Sequence, residues 1–102
     1  MSQLDNETVT RAVVAWTGWG TSSTPDRQDA RLVSIFGESV GLDLVQRVHQ
    51  LEDDFYESDA RFTVPDTKGM GDKAVADFRE RHPELGVDAA EALGWCYTFD
   101  YK

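Results

Sequence analysis

Residues 41–55, Gly-Leu-Asp-Leu-Val-Gln-Arg-Val-His-Gln-Leu-Glu-Asp-Asp-Phe, constrain the fold more than any other stretch of the chain. Leu44, Val48, Leu51 and Phe55 recur at spacings of four, three and four. That period places them on one face of a helix, with Asp43, Gln46, Arg47, Gln50 and Asp54 turned elsewhere. Such a helix buries its stripe against other elements and shows acid to water. The rest of the chain must therefore supply a matching apolar surface.

Further helical segments supply it. The first opens at Asp5 or Asn6, either of which can cap free backbone N–H groups, carries Val9, Ala12, Val13 and Trp16 on one face, and stops at Gly18 and Gly20. A second is predicted from Thr24 as N-cap and Pro25 at its first position, carrying Ala30, Val33 and Phe36, with Gly37 as its stop. The third, acidic helix runs from Ser39 or Gly41 to about Glu57. Residues 61–64 have strand-like composition, which Pro65 limits to a short edge strand or an extended connector. Residues 67–71 read as a flexible turn, and Asp72 as the cap of a helix that buries Val75 and Phe78 and ends at His82-Pro83.

At the end of the chain a short helix over residues 88–93 precedes Gly94, after which Trp95, Tyr97, Phe99 and Tyr101 alternate with Cys96, Thr98, Asp100 and Lys102. The alternation predicts a strand with one aromatic face. It would pair with residues 61–64, join another chain in a homodimer, or lie extended across the helices. The fold expected is mainly α: about four helices around one core of Val13, Trp16, Val33, Phe36, Val48, Leu51, Phe55, Val75 and Phe78, with a C-terminal aromatic strand or tail. Pairing of the two strand-like segments would make it α+β.

The 102 residues fit one domain, 1–102, and 40% hydrophobic residues are enough for a single core. Nineteen acids against ten bases leave a net charge of -9, which repels phosphate backbones and anionic lipid and selects basic partners. Nucleic acid and membrane are thereby set aside. Cys96 is the only cysteine, so the chain forms no internal disulfide, and a reducing, cytoplasmic setting is expected. The amino-terminal residues lack a basic start and a long apolar run, which fits the same expectation.

From the third helix onward the order of features resembles the acyl carrier protein family. The matching pieces are Leu42-Asp43, Val45, Val48, Leu51-Glu52-Asp53-Asp54-Phe55, Val64-Pro65-Asp66 and the segment from Gly71 to Phe78, about forty residues in all. The resemblance implies a small helical bundle whose acidic helix docks basic partners. It also implies a serine that carries phosphopantetheine, but counting back from Leu51 that position falls on Gly41, which has no hydroxyl. Ser39, two residues upstream, reads first as an N-cap and only as a minority alternative as the carrier's attachment site.

Other chemistry finds less footing. Gly69-Met70-Gly71-Asp72-Lys73-Ala74 matches G-x-G-x-x-A, but a proline-containing connector precedes it and Asp72 would face the phosphates. An EF-hand loop started at Asp53 puts Phe55 and Ser58 where an oxygen ligand and glycine belong, and His49 and His82 lack zinc-site spacing. No nucleophile–base motif is present, so no catalytic residue is assigned. The function expected is a non-catalytic acidic interaction module without cofactor or metal, which binds a basic protein through Glu52, Asp53, Asp54 and Glu57. A phosphopantetheine carrier using Ser39 and an immunity-type inhibitor of a basic enzyme are the alternatives.

Overall fold

A computed structural model describes residues 4–101, which form five helices and one single helical turn. They are α1 Asn6–Thr17, α2 Asp29–Phe36, α3 Glu38–Phe55, α4 Ala60–Thr63, α5 Thr67–Arg81 and α6 Val87–Tyr101. The shortest dimension, 18 Å, holds about two helix layers. α1 lies against α2, α3 and α6, α5 packs along α6 and reaches α3, and α4 leans on α5. The mainly helical class is as the periodicity predicts.

The stripe of α3 is buried along its length: Leu44, Val48, Leu51 and Phe55 are at most 1% exposed. They meet Val9, Ala12, Val13 and Trp16 of α1, Leu32 of α2, Ala74 and Phe78 of α5, and Leu93 and Tyr97 of α6 in one core. Each such side chain contributes about 1.5–3 kcal/mol through the apolar area it withdraws from water. Phe36 and Val75 sit at the core's edge, half-buried, and Val33 is half-buried outside the core cluster. α1 starts as expected: the Asp5 carboxylate accepts the Thr8 N–H at 2.7 Å, and Gly18 closes the helix in the left-handed region at φ 81°.

α2 and α3 are joined by Gly37 alone, which takes φ 89° and serves as the end of one helix and the start of the next. A positive φ of this size favours glycine. Four residues on, Gly41 lies against the α2 backbone, where an added Cβ would come within 2.6 Å of Val33 Cα.

The structure corrects several expectations. Residues 95–101 are not a strand but the second half of α6, and among the described residues there is no strand for them to pair with. A helix satisfies its own backbone groups, whereas a lone strand leaves them open. Helical spacing also brings Ala89, Leu93, Cys96 and Tyr97 into the core. The alternative two-stranded sheet is therefore absent among the described residues, residues 60–63 form a helical turn, and the described part of the strand proposed for dimerisation is helical. Lys102, the last residue of that expected strand, and residues 1–3 lie outside the described residues.

α5 begins earlier than predicted. Asp66, not Asp72, is its cap, with its carboxylate accepting the Gly69 N–H at 2.7 Å, so residues 67–71 are helical rather than a turn. Glycine is a poor helix former, and tertiary packing overrides that preference here. A Cβ on Gly71 would meet Thr98 Cγ2 at 2.5 Å, so α5 lies close against the Thr98 side chain of α6. α2 begins later than predicted, at Asp29, which leaves Thr24 and Pro25 in the preceding loop. Ser39 is not a cap, since Gly37 holds that position and Ser39 lies in the first turn of α3.

Candidate functional site

The outward face of α3 repeats the helical period in polar residues. Asp43, Gln46, Gln50 and Asp53 are exposed at spacings of three, four and three, and Glu57 continues the line just beyond the helix end. Asp43 and Asp53 make no ion pair among the described residues. Glu57 makes no ion pair among the described residues and lies within the field of Arg61.

The four carboxylates expected to bind a partner are thus divided by the fold. Asp53 and Glu57 face solvent, but Glu52 and Asp54 are engaged within the chain. Arg27 donates from Nε to Glu52, and from its terminal nitrogen to the Tyr56 hydroxyl at 3.0 Å and to Asp100 at 2.9 Å. Tyr56 in turn donates to Asp100 at 2.5 Å, and burial together with that carboxylate pushes its hydroxyl pKa up. Asp54 lies 2.5 Å from His82 Nε2 and 3.2 Å from Arg81 Nε. Burial pushes the Asp54 carboxyl up, but the hydrogen bonds from His82 and Arg81 outweigh it and hold it below the usual range. These two acids tie α3 to the loop before α2, to α6 and to the end of α5.

Beside Glu57 stands an exposed aromatic patch. The Arg61 guanidinium lies over the Phe62 ring at 4.6 Å and over the Tyr101 ring at 5.0 Å. Phe62 is 78% exposed, the highest value among the large hydrophobic residues described. Phe62 is not marked by periodicity, because the single turn α4 is too short to show any, and the alternation that marks Tyr101 places it on a strand rather than on α6.

Ser39 is exposed, and Leu42 next to it on the helix surface is 56% exposed. Gly41, the position that the carrier-protein resemblance would give to the attachment serine, is closed against Val33 and Leu32. That position cannot present a hydroxyl to solvent.

Trp16 donates its indole N–H to Asp29 at 2.8 Å, His49 Nε2 lies 3.0 Å from the same oxygen, and the two rings meet edge-on at 5.0 Å. The Trp16 hydrogen bond holds the Asp29 carboxyl below its usual range, with burial opposing and His49 assisting. Cys96 is fully buried, and burial pushes its thiol up to about 12 despite the nearby Arg27. Such a thiol is protonated and inert at neutral pH. Among the described residues no group of three or more His, Cys, Asp or Glu side chains is placed to hold a metal ion. No described helix is long and apolar enough to cross a membrane.

A cleft of about 450 Å³ opens where α5 crosses α6. Gly71 and Gly94 line it, Trp19 and Trp95 wall it, and Asp72 and Glu91 stand at its rim. Lys68 is at the same rim, 2.7 Å from Asp72 in an exposed ion pair. A Cβ on Gly94 would meet Val75 Cγ2 at 2.6 Å, so the Val75 side chain would have to shift to admit one. Sequence reasoning places Gly69 and Gly71 in a turn and Trp95 on a strand, and so misses that one helix pair unites them.

Comparison of the chain with protein-family models, with curated proteins and with solved structures finds no match.

Proposed function

We propose that the chain is a non-catalytic interaction module that docks a basic protein surface through the outer edge of α3. The observation that carries this reading is the stripe of Asp43, Asp53 and Glu57, which faces solvent while Glu52 and Asp54 are neutralised inside the fold. Unpaired surface carboxylates at helical spacing steer a cationic partner and set its register. Phe62 and Tyr101 beside Glu57 add the aromatic anchor that such interfaces concentrate near their centre. A basic enzyme held by an immunity-type inhibitor is one partner that the same chemistry would recognise.

The test compares two doubly substituted proteins of equal net charge, Asp53→Lys/Glu57→Lys on the stripe and Glu7→Lys/Glu80→Lys away from it. Their affinity for poly-L-lysine of about twenty residues is measured by calorimetry at low salt. The stripe variant is expected to bind at least several-fold more weakly than the control. Equal loss in both would mean that net charge alone attracts the polymer and would remove the stripe as a site.

A second reading, a phosphopantetheine carrier, draws on the exposure of Ser39 in the first turn of α3. Incubation with a phosphopantetheinyl transferase and coenzyme A, read by intact mass, separates it from the first. No mass gain under conditions that load a control carrier removes it.

A further inference from the structure

The structure assigns the cleft between α5 and α6 as a receptor for an arginine side chain of a basic partner protein. This inference rests on the reading of the partner as basic, and not on the α3 stripe, none of whose residues line the cleft. Three features of the cleft select the occupant.

The walls are two half-buried indoles, Trp19 and Trp95, and indole is the ring that attracts a cation most strongly. The rim carries two carboxylates. Glu91 is exposed and makes no ion pair among the described residues. Among the described residues Asp72 is paired with Lys68 alone, in a pair so exposed that displacing it costs little, since surface pairs contribute about 0–1 kcal/mol. The lining glycines, Gly71 and Gly94, leave the cleft open between the helices.

Aromatic walls with an acidic rim favour a cation over a neutral or anionic group, and the net charge of -9 draws cations toward the surface. Arginine fits better than lysine. A planar guanidinium can lie against an indole and still donate two parallel hydrogen bonds to a carboxylate, which a compact, strongly hydrated ammonium does not match. The cleft volume, about 450 Å³, exceeds what one side chain fills and falls in the usual range of ligand clefts, about 300–1,000 Å³. Residues flanking the arginine therefore enter with it.

The three tryptophans of the chain make the test direct, because Trp16 is fully buried with its N–H on Asp29 and serves as an internal control. The probe is the peptide acetyl-Gly-Arg-Gly-Arg-Gly-amide, with its citrulline counterpart as the neutral isostere, titrated into the full chain and followed by the indole N–H signals in NMR. The arginine peptide is expected to shift the Trp19 and Trp95 signals saturably and leave Trp16 in place, while the citrulline peptide shifts none. Glu91→Gln, an exposed change, should weaken binding roughly threefold to tenfold. Trp95→Leu, accepted only if its circular dichroism matches the parent, should do the same. Unmoved indole signals, equal shifts with citrulline, or unchanged affinity in Glu91→Gln would each overturn the assignment. The Asp53→Lys/Glu57→Lys protein keeps the two readings apart. Retained indole shifts in that variant support the cleft whatever becomes of the stripe. Shifts lost there but kept in Glu91→Gln transfer the arginine site to α3.

Discussion

The α-carbon of Val33 occupies the space that a side chain on Gly41 would need, with only 2.6 Å between it and the position of a Cβ. Leu32 O and Val33 N stand at 2.8 Å from the same point. The neighbours are backbone atoms and cannot rotate away, so α2 and α3 hold their close approach only while residue 41 is glycine. Gly41→Ala is therefore expected to destabilise the fold by about 1–3 kcal/mol, the usual cost of overpacking, despite alanine's better helix propensity. Thermal unfolding checks this, with about 4–8 °C lost per kcal/mol in a domain of this size. A Gly41→Ala protein as stable as the parent would show that the two helices separate at little cost.

Tyr97 does with its hydroxyl what no sequence pattern indicates. Buried in the core, it accepts the Arg61 N–H at 3.0 Å and donates to the Ser58 carbonyl at 3.2 Å, which fastens the start of α4 to α6. Tyr97→Phe keeps the ring but strands the Arg61 N–H, while the Ser58 carbonyl keeps the Arg61 guanidinium at 3.0 Å, a loss of about 1–3 kcal/mol. Chemical denaturation should show a lower midpoint with an unchanged slope. A change in slope with no loss of stability would contradict this.

Acid should weaken the fold through Asp29 and Asp54, both held below the ordinary carboxyl value of 3.8. In the window just below that value the unfolded chain binds protons that the folded chain still refuses, so stability falls as pH falls and is regained on return. Asp29→Asn keeps an acceptor for the Trp16 indole but removes the titration. Its midpoint should decline less steeply than the parent's from about pH 4 to about pH 2. Parallel declines would show that Asp29 does not contribute.

Alkali should act through Cys96, whose thiol is pushed from 9.0 up to about 12 by burial. A raised folded-state value contributes stability that is fully present below 9.0 and is lost as pH rises toward 12. The loss for one such group is at most about 1.4 kcal/mol per pH unit. Cys96→Ala should remove part of the alkaline decline, and in the parent a thiol reagent at mildly alkaline pH should label Cys96 only after denaturant is added. Rapid labelling of the native protein would contradict its burial.

What could be read along the chain was the part set by local chemistry. The stripe of α3, the inward face of α1, the Asp5 cap and the stops at Gly18, Gly37 and His82 follow from helical period and from the need to satisfy terminal N–H and C=O groups. The same reasoning erred where two local readings compete. Trp95, Tyr97, Phe99 and Tyr101 fit a two-residue period, and Ala89, Leu93, Cys96 and Tyr97 fit a helical one. Only the presence of α1 and α5 on either side selects the second, because a helix brings its own backbone partners and buries the second set.

The acidic segment is the clearest case of that division. Its amino acids alone determine that one face is apolar and the other acidic, since side-chain direction follows helical period. Which acids remain free was decided only in three dimensions. Arg27, distant in sequence, takes Glu52, and Arg81 with His82 takes Asp54, leaving Asp53 and Glu57 to solvent. The cleft of Trp19 and Trp95 belongs wholly to the tertiary structure, because its lining comes from α5, α6 and the segment after α1, which are distant in sequence. Charge composition is a property of the chain, but charge available to a partner is a property of the fold, because ion pairing depends on distances that sequence separation does not encode.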